Sequence, residues 1–228
     1  MMAEIFKDKL PDIEDLKKHP STAIYLESAD KYLERIGYTE HGLRHAKLVS
    51  KNSKKILKEL NYTDRICDLT EIAGFFHDVG NLLGRKNHGI AGALIVERLM
   101  MDCGFKIEEV VRVIAAIANH EDYEYDITDD ITASLVIADK ADVHRSRVRN
   151  PNFIKFDIHD RVNFAVTQSI LEIDSRNKGI SLILTIDISI SKVVEYFEIF
   201  LSRMMQCKKA AEFLSCNFSI VMNNMKLL

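Results

Sequence analysis

Apolar residues recur three and four positions apart in successive segments of the first 155 residues, the spacing that one buried face of an α-helix requires. In residues 63–76 the apolar positions are Ile66, Leu69, Ile72, Ala73 and Phe76. This spacing predicts a helix that begins after Thr63 and carries the adjacent pair His77-Asp78 at its C-terminal end.

The same kind of pattern predicts helices on both sides of this one. They run from Ser21 to Ile36, from Thr39 to Leu60, from His88 past Leu99, from Ile107 to Asn119-His120, and from Ile131 to Ala138 just before Asp139. The predicted fold class is therefore mainly α, a helical bundle.

The pattern changes after Pro151. Two Ile-rich segments with a turn between them predict a β-hairpin, and a long amphipathic helix and a further strand follow. These elements are residues 169–175, the turn 176–179, residues 180–187, the helix Lys192 to Phe213 and the strand Cys216 to Met222. We therefore predict two domains, a helical domain of residues 1–155 and a small α+β unit (β-β-α-β) of residues 156–228.

Composition restricts the classes of protein. The formal net charge of -3 gives no overall attraction to nucleic acid or to an anionic membrane, so affinity for phosphate must come from local groups. Met1 to Leu10 lacks the apolar core of a signal peptide, and no stretch approaches the roughly 18 apolar residues of a membrane span. We expect a cytoplasmic protein with no membrane partner, and polymeric nucleic acid is not an expected partner.

Histidine and aspartate residues stand near the ends of the predicted helices. In chain order they are His41, His77-Asp78, His88, His120 and Asp139. Imidazoles and carboxylates together suit transition-metal ions better than an all-oxygen Ca²⁺ or Mg²⁺ site. One aspartate among several imidazoles can bridge two ions, and a pair of ions about 3.5–4 Å apart is a common device for hydrolysing phosphate esters. The set predicts a metal-dependent phosphohydrolase.

These residues and their surroundings resemble the HD phosphohydrolase superfamily from about Tyr38 to Arg149. The matching segments are EHGLRHAKLV, GFFHDVGN, NHGIAGALI, ANHEDYEYD and LVIADKADVH. Their order is most similar to that of HD-GYP cyclic-dinucleotide phosphodiesterases and of diadenosine tetraphosphate hydrolases. The resemblance implies an HD-type helical bundle and cleavage of a phosphoester or phosphoanhydride bond by metal-activated water.

The resemblance also implies two groups of ligands that meet at Asp78, which would bridge them and position the attacking water. The first group would be His41, His77, Asp78 and Asp139, and the second would be Asp78, His88 and His120. Together they would hold one or two divalent ions of Fe, Mn, Co, Ni or Zn. The chain departs from the HD-GYP pattern at Asn81 and Asn119 and lacks the GYP segment, which argues against cyclic-dinucleotide cleavage.

His41 and His45 are four residues apart and would share one face of a helix that begins at Thr39, so either could be the ligand. The resemblance favours His41. It leaves His45 to packing or to support of the ligands.

Basic residues near these ligands are candidates for binding a phosphorylated small molecule, which we predict to be a nucleotide. Guanidinium groups pair with phosphate oxygens in a bidentate manner. The candidates are Arg85, Lys86, Lys140 and Arg145, and Tyr123 and Tyr125 could stack on a base. A solvated face or salt bridges are the competing interpretation for Arg145, Arg147 and Arg149.

Three functional hypotheses follow from these residues. The main one is the phosphohydrolase. The second is a non-catalytic signalling module that binds metal and nucleotide, with a C-terminal unit that senses a ligand or mediates a homodimer. The third is an oxygenase, because some HD-type di-iron proteins oxidise their substrates.

Overall fold

The computed structural model describes residues 10–121, 126–155 and 157–227, and it confirms a mainly α fold with a small C-terminal α+β unit. The helices are α1 Ile13–Lys18, α2 Thr22–Arg35, α3 Leu43–Glu59, α4 Asp64–Phe76, α5 His88–Asp102, α6 Ile107–Asn119, α7 Asp130–Lys140, α8 Ile158–Ala165 and α9 Val193–Phe213. The strands are β1 Val166–Asp174, β2 Gly179–Ile186, β3 Asn217–Met222 and β4 Met225–Lys226. Short 3-10 turns cover Val79–Leu83, Arg145–Arg147 and Pro151–Phe153.

Helix α7 is the central helix of the bundle. Its residues from Ile131 to Ala138 are all buried, so it has no solvent-facing side. A helix that is apolar all round must be covered on every side, and α7 packs against α3, α4, α6 and α9. Each fully buried Leu, Ile or Val side chain stabilises the fold by about 1.5–3 kcal/mol. This packing holds Asp139, in the last turn of α7, at the centre of the molecule.

Helix α3 begins at Leu43, whereas the sequence predicts a start at Thr39. Gly42 is extended, and its backbone N–H donates to Glu40 Oε1 at 2.8 Å. The backbone N–H of Glu40 donates to the carbonyl oxygen of Arg147 at 2.8 Å. These contacts hold residues 39–42 as a loop, so His41 precedes the helix.

Two glycines allow close approach of the elements that surround the start of α5. A Cβ atom at Gly89 would lie 2.8 Å from the carbonyl oxygens of both Ile117 and Ala118, so α5 touches the backbone of α6 there. A Cβ atom at Gly80 would lie 2.0 Å from the carbonyl oxygen of His88. The end of α6 and the segment after α4 are therefore both brought against the first turn of α5.

The C-terminal sheet has the strand order β1-β2-β3-β4. The hairpin β1-β2 is antiparallel, β2 and β3 are parallel, and β3 and β4 are antiparallel. The predicted β-β-α-β order is confirmed, with α9 as the crossover between β2 and β3 and with β4 as an addition. Alternate residues of β2 are buried, which is the pattern of a sheet covered on one face.

Helix α9 packs on both β3 and α7 and so links the sheet to the bundle. Buried residues of both parts form one continuous hydrophobic core. The division into residues 1–155 and 156–228 therefore stays a prediction. None of the helices in the described ranges combines the length and the apolar character that crossing a membrane requires.

Candidate metal centre

Six imidazole and carboxylate side chains from the ends of five helices converge on one site. They are His45 in the first turn of α3, His77 and Asp78 after α4, His88 at the start of α5, His120 after α6, and Asp139 in the last turn of α7. All four histidines are at most 3% exposed. The sequence pattern predicts the positions of all of these residues except His45 at helix ends, and the fold brings the six side chains together.

The first half of the site lies around Oδ2 of Asp78. The Nε2 atoms of His45 and His77 are 3.2 Å apart and lie 3.5 and 3.2 Å from this oxygen. Oδ1 of Asp139 lies 3.3 Å from His45 Nε2 and 3.6 Å from His77 Nε2. Four ligand atoms, carried by α3, by the end of α4 and by α7, therefore face one small volume.

The second half lies around the other oxygen of Asp78. The Nε2 atoms of His88 and His120 are 3.2 Å apart, and Oδ1 of Asp78 lies 3.3 Å from His88 Nε2. The two carboxylate oxygens thus face different pairs of imidazoles. This is the arrangement that a ligand bridging two cations needs.

Three overlapping sets of side chains in the described ranges each offer ligand atoms within 4.8 Å of one another. They are His45, His77 and Asp78; His77, His120 and Asp139; and Asp78, His88 and His120. Asp78 Oδ2 is buried and has no hydrogen-bond partner among the described residues. A buried anionic oxygen requires compensation, and the nitrogen and oxygen donors around it suit a divalent transition ion. The residues present therefore fit a divalent metal ion, with His45 in the place where the sequence analysis favours His41.

Each of these histidines is oriented through its Nδ1 atom. The Nδ1 atoms of His77 and His120 donate to the carbonyl oxygens of Gly74 and Ile117 at 2.9 and 2.7 Å, and Nδ1 of His88 lies 3.1 Å from the carbonyl oxygen of Arg85. A carbonyl oxygen can only accept, so each Nδ1 atom carries a proton and Nε2 is the nitrogen left to bind a metal ion.

His45 is held differently, by a buried carboxylate that sequence reasoning missed. Its Nδ1 atom lies 2.6 Å from Asp142 Oδ2, and Arg44 binds the same carboxylate at 3.2 and 2.8 Å. Asp142 is not among the predicted site residues. Its position three residues after Asp139, just beyond the end of α7, is the signal that could have placed the two carboxylates near each other.

The pKa values show that this site requires positive charge. Burial lowers the pKa of His77, but Asp78 and Asp139 outweigh burial and raise it to about 10. Burial also lowers the pKa of His45, but Asp139 and Asp142 contribute to raising it to about 9. Burial raises the pKa of Asp78, but His77 and its neighbours hold it well below its usual value. Without a metal, protons on His45 and His77 compensate the carboxylates, and a cation can replace them.

The sequence-predicted ligand His41 lies at the border of this cluster. Its ring centroid is 5.3 Å from that of His45, and its Nδ1 atom donates to the carbonyl oxygen of Thr39 at 2.7 Å. Burial and the charge of Arg147 hold the pKa of His41 well below its usual value, so its ring is neutral. His41 is in none of the three ligand sets found among the described residues, whereas His45 is in one. A ligand role for His41 stays a prediction, and His45 becomes a second candidate.

Of the predicted phosphate-binding residues, Arg85 and Lys140 touch the cluster. Arg85 Nη1 lies 3.0 Å from His88 Nε2 and 3.7 Å from Asp78 Oδ1, and its other nitrogen pairs with Glu121. Lys140 is buried, and its Nζ donates at 3.1 Å to the carbonyl oxygen of His120 and to an oxygen of Asp139. Lys140 is therefore engaged with the ligands themselves.

The other two candidates lie elsewhere. Lys86 is exposed and lines a separate cavity of about 690 Å³. The Arg145 guanidinium lies over the ring of Phe164, 5.4 Å from its centroid. Tyr123 and Tyr125 lie outside the described residues. Binding of phosphate by any of these residues stays a prediction.

A cavity of about 560 Å³ adjoins the cluster at His41 and Arg85. Its walls include Arg147, and they also include residues of α8 and α9, among them Asn163 and Arg203. Arg147 is only 4% exposed, and its Nε lies 3.8 Å from Asp142 Oδ2. Of the two competing interpretations, the solvated face is therefore wrong for this residue and the salt bridge is present. No local pattern indicates the contribution of α8 and α9, because it depends on how the C-terminal unit packs.

Comparison with known proteins agrees with this site. Residues 42–145 match the family model of the HD domain, a span that contains the cluster from His45 to Asp139 and begins one residue after His41. The chain is also similar to the uncharacterized protein MJ1020 of Methanocaldococcus jannaschii, with 28% identity over 187 residues that cover 71% of each chain. The match spans a little under half of the chain and identifies residues 42–145 as an HD domain, the domain of the HD superfamily of metal-dependent phosphohydrolases.

Proposed function

We propose that the chain is an enzyme that hydrolyses a phosphoester or phosphoanhydride bond of a nucleotide-type small molecule at a binuclear metal site. The observation that carries this proposal is the position of Asp78. Its Oδ2 lies 3.5 and 3.2 Å from Nε2 of His45 and His77, and its Oδ1 lies 3.3 Å from Nε2 of His88, in the ligand set that also contains His120. One divalent ion would lie with His45, His77 and Asp139, and a second with His88 and His120. Candidate ions are Fe, Mn, Co, Ni and Zn.

Divalent ions held at these residues would lower the pKa of a bound water toward 7, from about 15.7 in bulk, and offset negative charge on the phosphate. The chain itself supplies orientation and charge. Arg85 stands beside Asp78 and His88, where its guanidinium can bind a phosphate oxygen. Asp142 fixes the ring of His45.

Metal content and turnover of the purified chain test the proposal. The protein is loaded with each of the five metals and incubated with nucleoside phosphates, dinucleoside polyphosphates and simple phosphate esters. We expect up to two ions per chain, and turnover that Asp78→Asn abolishes. Asp68→Asn is the matched control, because Asp68 lies at the surface of α4 in an ion pair with Lys54. Protein that neither contains nor takes up these ions would contradict the proposal.

A pair of variants distinguishes the two candidate ligands of the first ion. His45→Ala removes an Nε2 atom that lies 3.2 Å from His77 Nε2, so we expect it to lose one ion. We expect His41→Ala to retain both ions, since its ring stands beside His45 rather than within a ligand set of the described residues. The opposite result in a metal titration would assign the ligand role to His41.

The signalling module remains the alternative, and the same experiment separates it from the enzyme. Tight nucleotide binding by metal-loaded protein without any turnover would support it. The predicted homodimer and the cytoplasmic location stay predictions, and sedimentation velocity measures the first of them.

A further inference from the structure

We infer that α8 and α9 form a recognition site for the organic part of the substrate, in which Asn163 accepts a hydrogen bond from that part and Arg147 donates to a phosphate oxygen. This inference rests on the proposed function and deepens it by assigning the substrate's two ends to different residues. Neither residue is among the predicted metal ligands.

The cavity next to the metal centre is larger than a phosphate group requires. Its volume is about 560 Å³, within the range typical of sites for small organic ligands. It begins at His41 and Arg85, beside the metal ligands, and reaches Asn163 on α8 and Phe200 and Arg203 on α9. A phosphate bound at the first end would leave the second end for the group that carries it.

Two buried polar atoms of this cavity lining have no hydrogen-bond partner among the described residues: Arg147 Nη2 and Asn163 Oδ1. Both residues are buried, at 4% and 5% exposure. A buried polar atom without a partner is unfavourable, so such atoms in a cavity wall point to a ligand that completes them.

The remaining atoms of both side chains are held in place. Arg147 donates through Nη1 to the carbonyl oxygen of Asp142 at 2.9 Å and through Nε to that of Glu40 at 3.2 Å. Asn163 donates through Nδ2 to the carbonyl oxygen of His159 at 2.8 Å, which leaves Oδ1 as its acceptor. The cavity is thus lined by one oriented spare donor and one oriented spare acceptor.

The chemistry of these atoms indicates what each would bind. A guanidinium N–H selects an anionic oxygen, and Arg85, which lines the same cavity and pairs with Glu121, adds a second guanidinium at the metal end. An amide oxygen selects a hydroxyl or amino group, and Asp157 and Asp160 on the same wall are further acceptors. The fitting ligand is therefore a phosphate attached to a group rich in hydrogen-bond donors, as the sugar and base of a nucleotide are.

Equilibrium binding to metal-loaded protein tests this assignment without requiring turnover. The probes are inorganic phosphate and non-hydrolysable phosphonate analogues of AMP, GMP, CMP and UMP, measured by calorimetry. We expect Asn163→Leu to weaken binding of the tightest nucleotide analogue at least tenfold and to leave binding of inorganic phosphate within twofold. Arg147→Lys should weaken both ligands by a similar factor. Asn52→Leu is the matched control, because Asn52 is a half-buried residue of α3 outside the cavity lining. It should weaken binding of neither ligand.

Asn163→Ala removes the same acceptor oxygen with a residue that helices favour, so it should also lose the preference for nucleotide over inorganic phosphate even if α8 tolerates leucine poorly. The inference is overturned if no nucleotide analogue binds more tightly than inorganic phosphate, or if Asn163→Leu affects both ligands equally or neither. Binding that follows the expected pattern in protein without turnover would refute the proposed hydrolysis and leave this recognition site standing. Turnover of nucleotides that Asn163→Leu does not change would support the proposed hydrolysis and overturn this recognition site.

Discussion

Replacing Gly89 with alanine should separate α5 from α6. The added Cβ atom would lie 2.8 Å from two backbone carbonyl oxygens, whereas ordinary contact begins at 3.4 Å, so the helices must move apart by about 0.6 Å. Overpacking of this kind costs about 1–3 kcal/mol, and the better helix propensity of alanine offsets at most about 1 kcal/mol. We therefore expect a net loss of about 1 kcal/mol in the free energy of unfolding, measured by urea denaturation.

The same displacement should weaken the second half of the metal centre selectively. His88 precedes Gly89 in α5, and its Nε2 atom lies 3.2 Å from that of His120 at the end of α6. Metal–ligand distances tolerate deviations of about 0.2 Å, so the helix displacement of about 0.6 Å in Gly89→Ala is large for ion binding. In a calorimetric metal titration we expect the second ion to bind at least tenfold more weakly.

Gly92→Ala is the graded control in the same helix. Its added Cβ would meet its nearest atoms at 3.2 and 3.3 Å, so it should lose little stability and keep both ions. If Gly89→Ala is as stable as the original protein, or binds both ions with unchanged affinity, then the contact between α5 and α6 does not set the spacing of His88 and His120.

Three further outcomes are expected. Asp142→Asn removes the negative charge that holds His45, and it should weaken metal binding about 10- to 100-fold in competition with a chelator. The melting temperature of metal-free protein should fall as the pH rises from about 6.5 to about 10. The pKa values of His45 and His77 are about 9 and about 10 in the folded state and about 6.5 in the unfolded state, so the stabilisation from their protons is full below about pH 6.5 and is lost by about pH 10. Saturating metal should flatten this dependence. Ile220→Ala, at a buried position of β3, should cost about 2–5 kcal/mol in urea denaturation and leave the metal content unchanged.

Each of these outcomes has a clear contrary. Unchanged metal affinity in Asp142→Asn would remove that carboxylate from the support of the site. A melting temperature that rises between pH 7 and 10 in metal-free protein would mean that the imidazoles are not the compensating charges. Loss of metal from Ile220→Ala would show that the sheet and the metal centre are coupled.

The sequence predicts the helices well where one face of each is buried, because burial imposes a spacing that can be read directly. It also places His77, His88 and His120 at helix ends, where the structure has them. The choice between His41 and His45 depends on where α3 begins. That start is set by a hydrogen bond from Glu40 to Arg147, more than a hundred residues away, which local spacing cannot reveal.

The cavity wall escapes prediction for a related reason. Helix α8 has eight residues and a mixed composition, so its periodic signal is weak. Asp157 does cap it, accepting from the backbone N–H groups of His159 and Asp160, and this cap is the local signal that could have found it. The burial of Arg147 arises from contacts with Asp142, five residues before it, and with Glu40, which is 107 residues away and which local spacing cannot reveal.

Because β2 and β3 run parallel, the chain must cross over the sheet between them, and α9 is that crossover. Residues that choose among substrates can therefore change on α8 and α9 while the ion-holding helices keep their own sequence. A chimaera that takes residues 157–213 from a related protein should acquire that protein's substrate preference and still bind metal ions at its own ligands, His45 to Asp139. Evolution of new specificities on this scaffold would then proceed by replacing one contiguous stretch of chain.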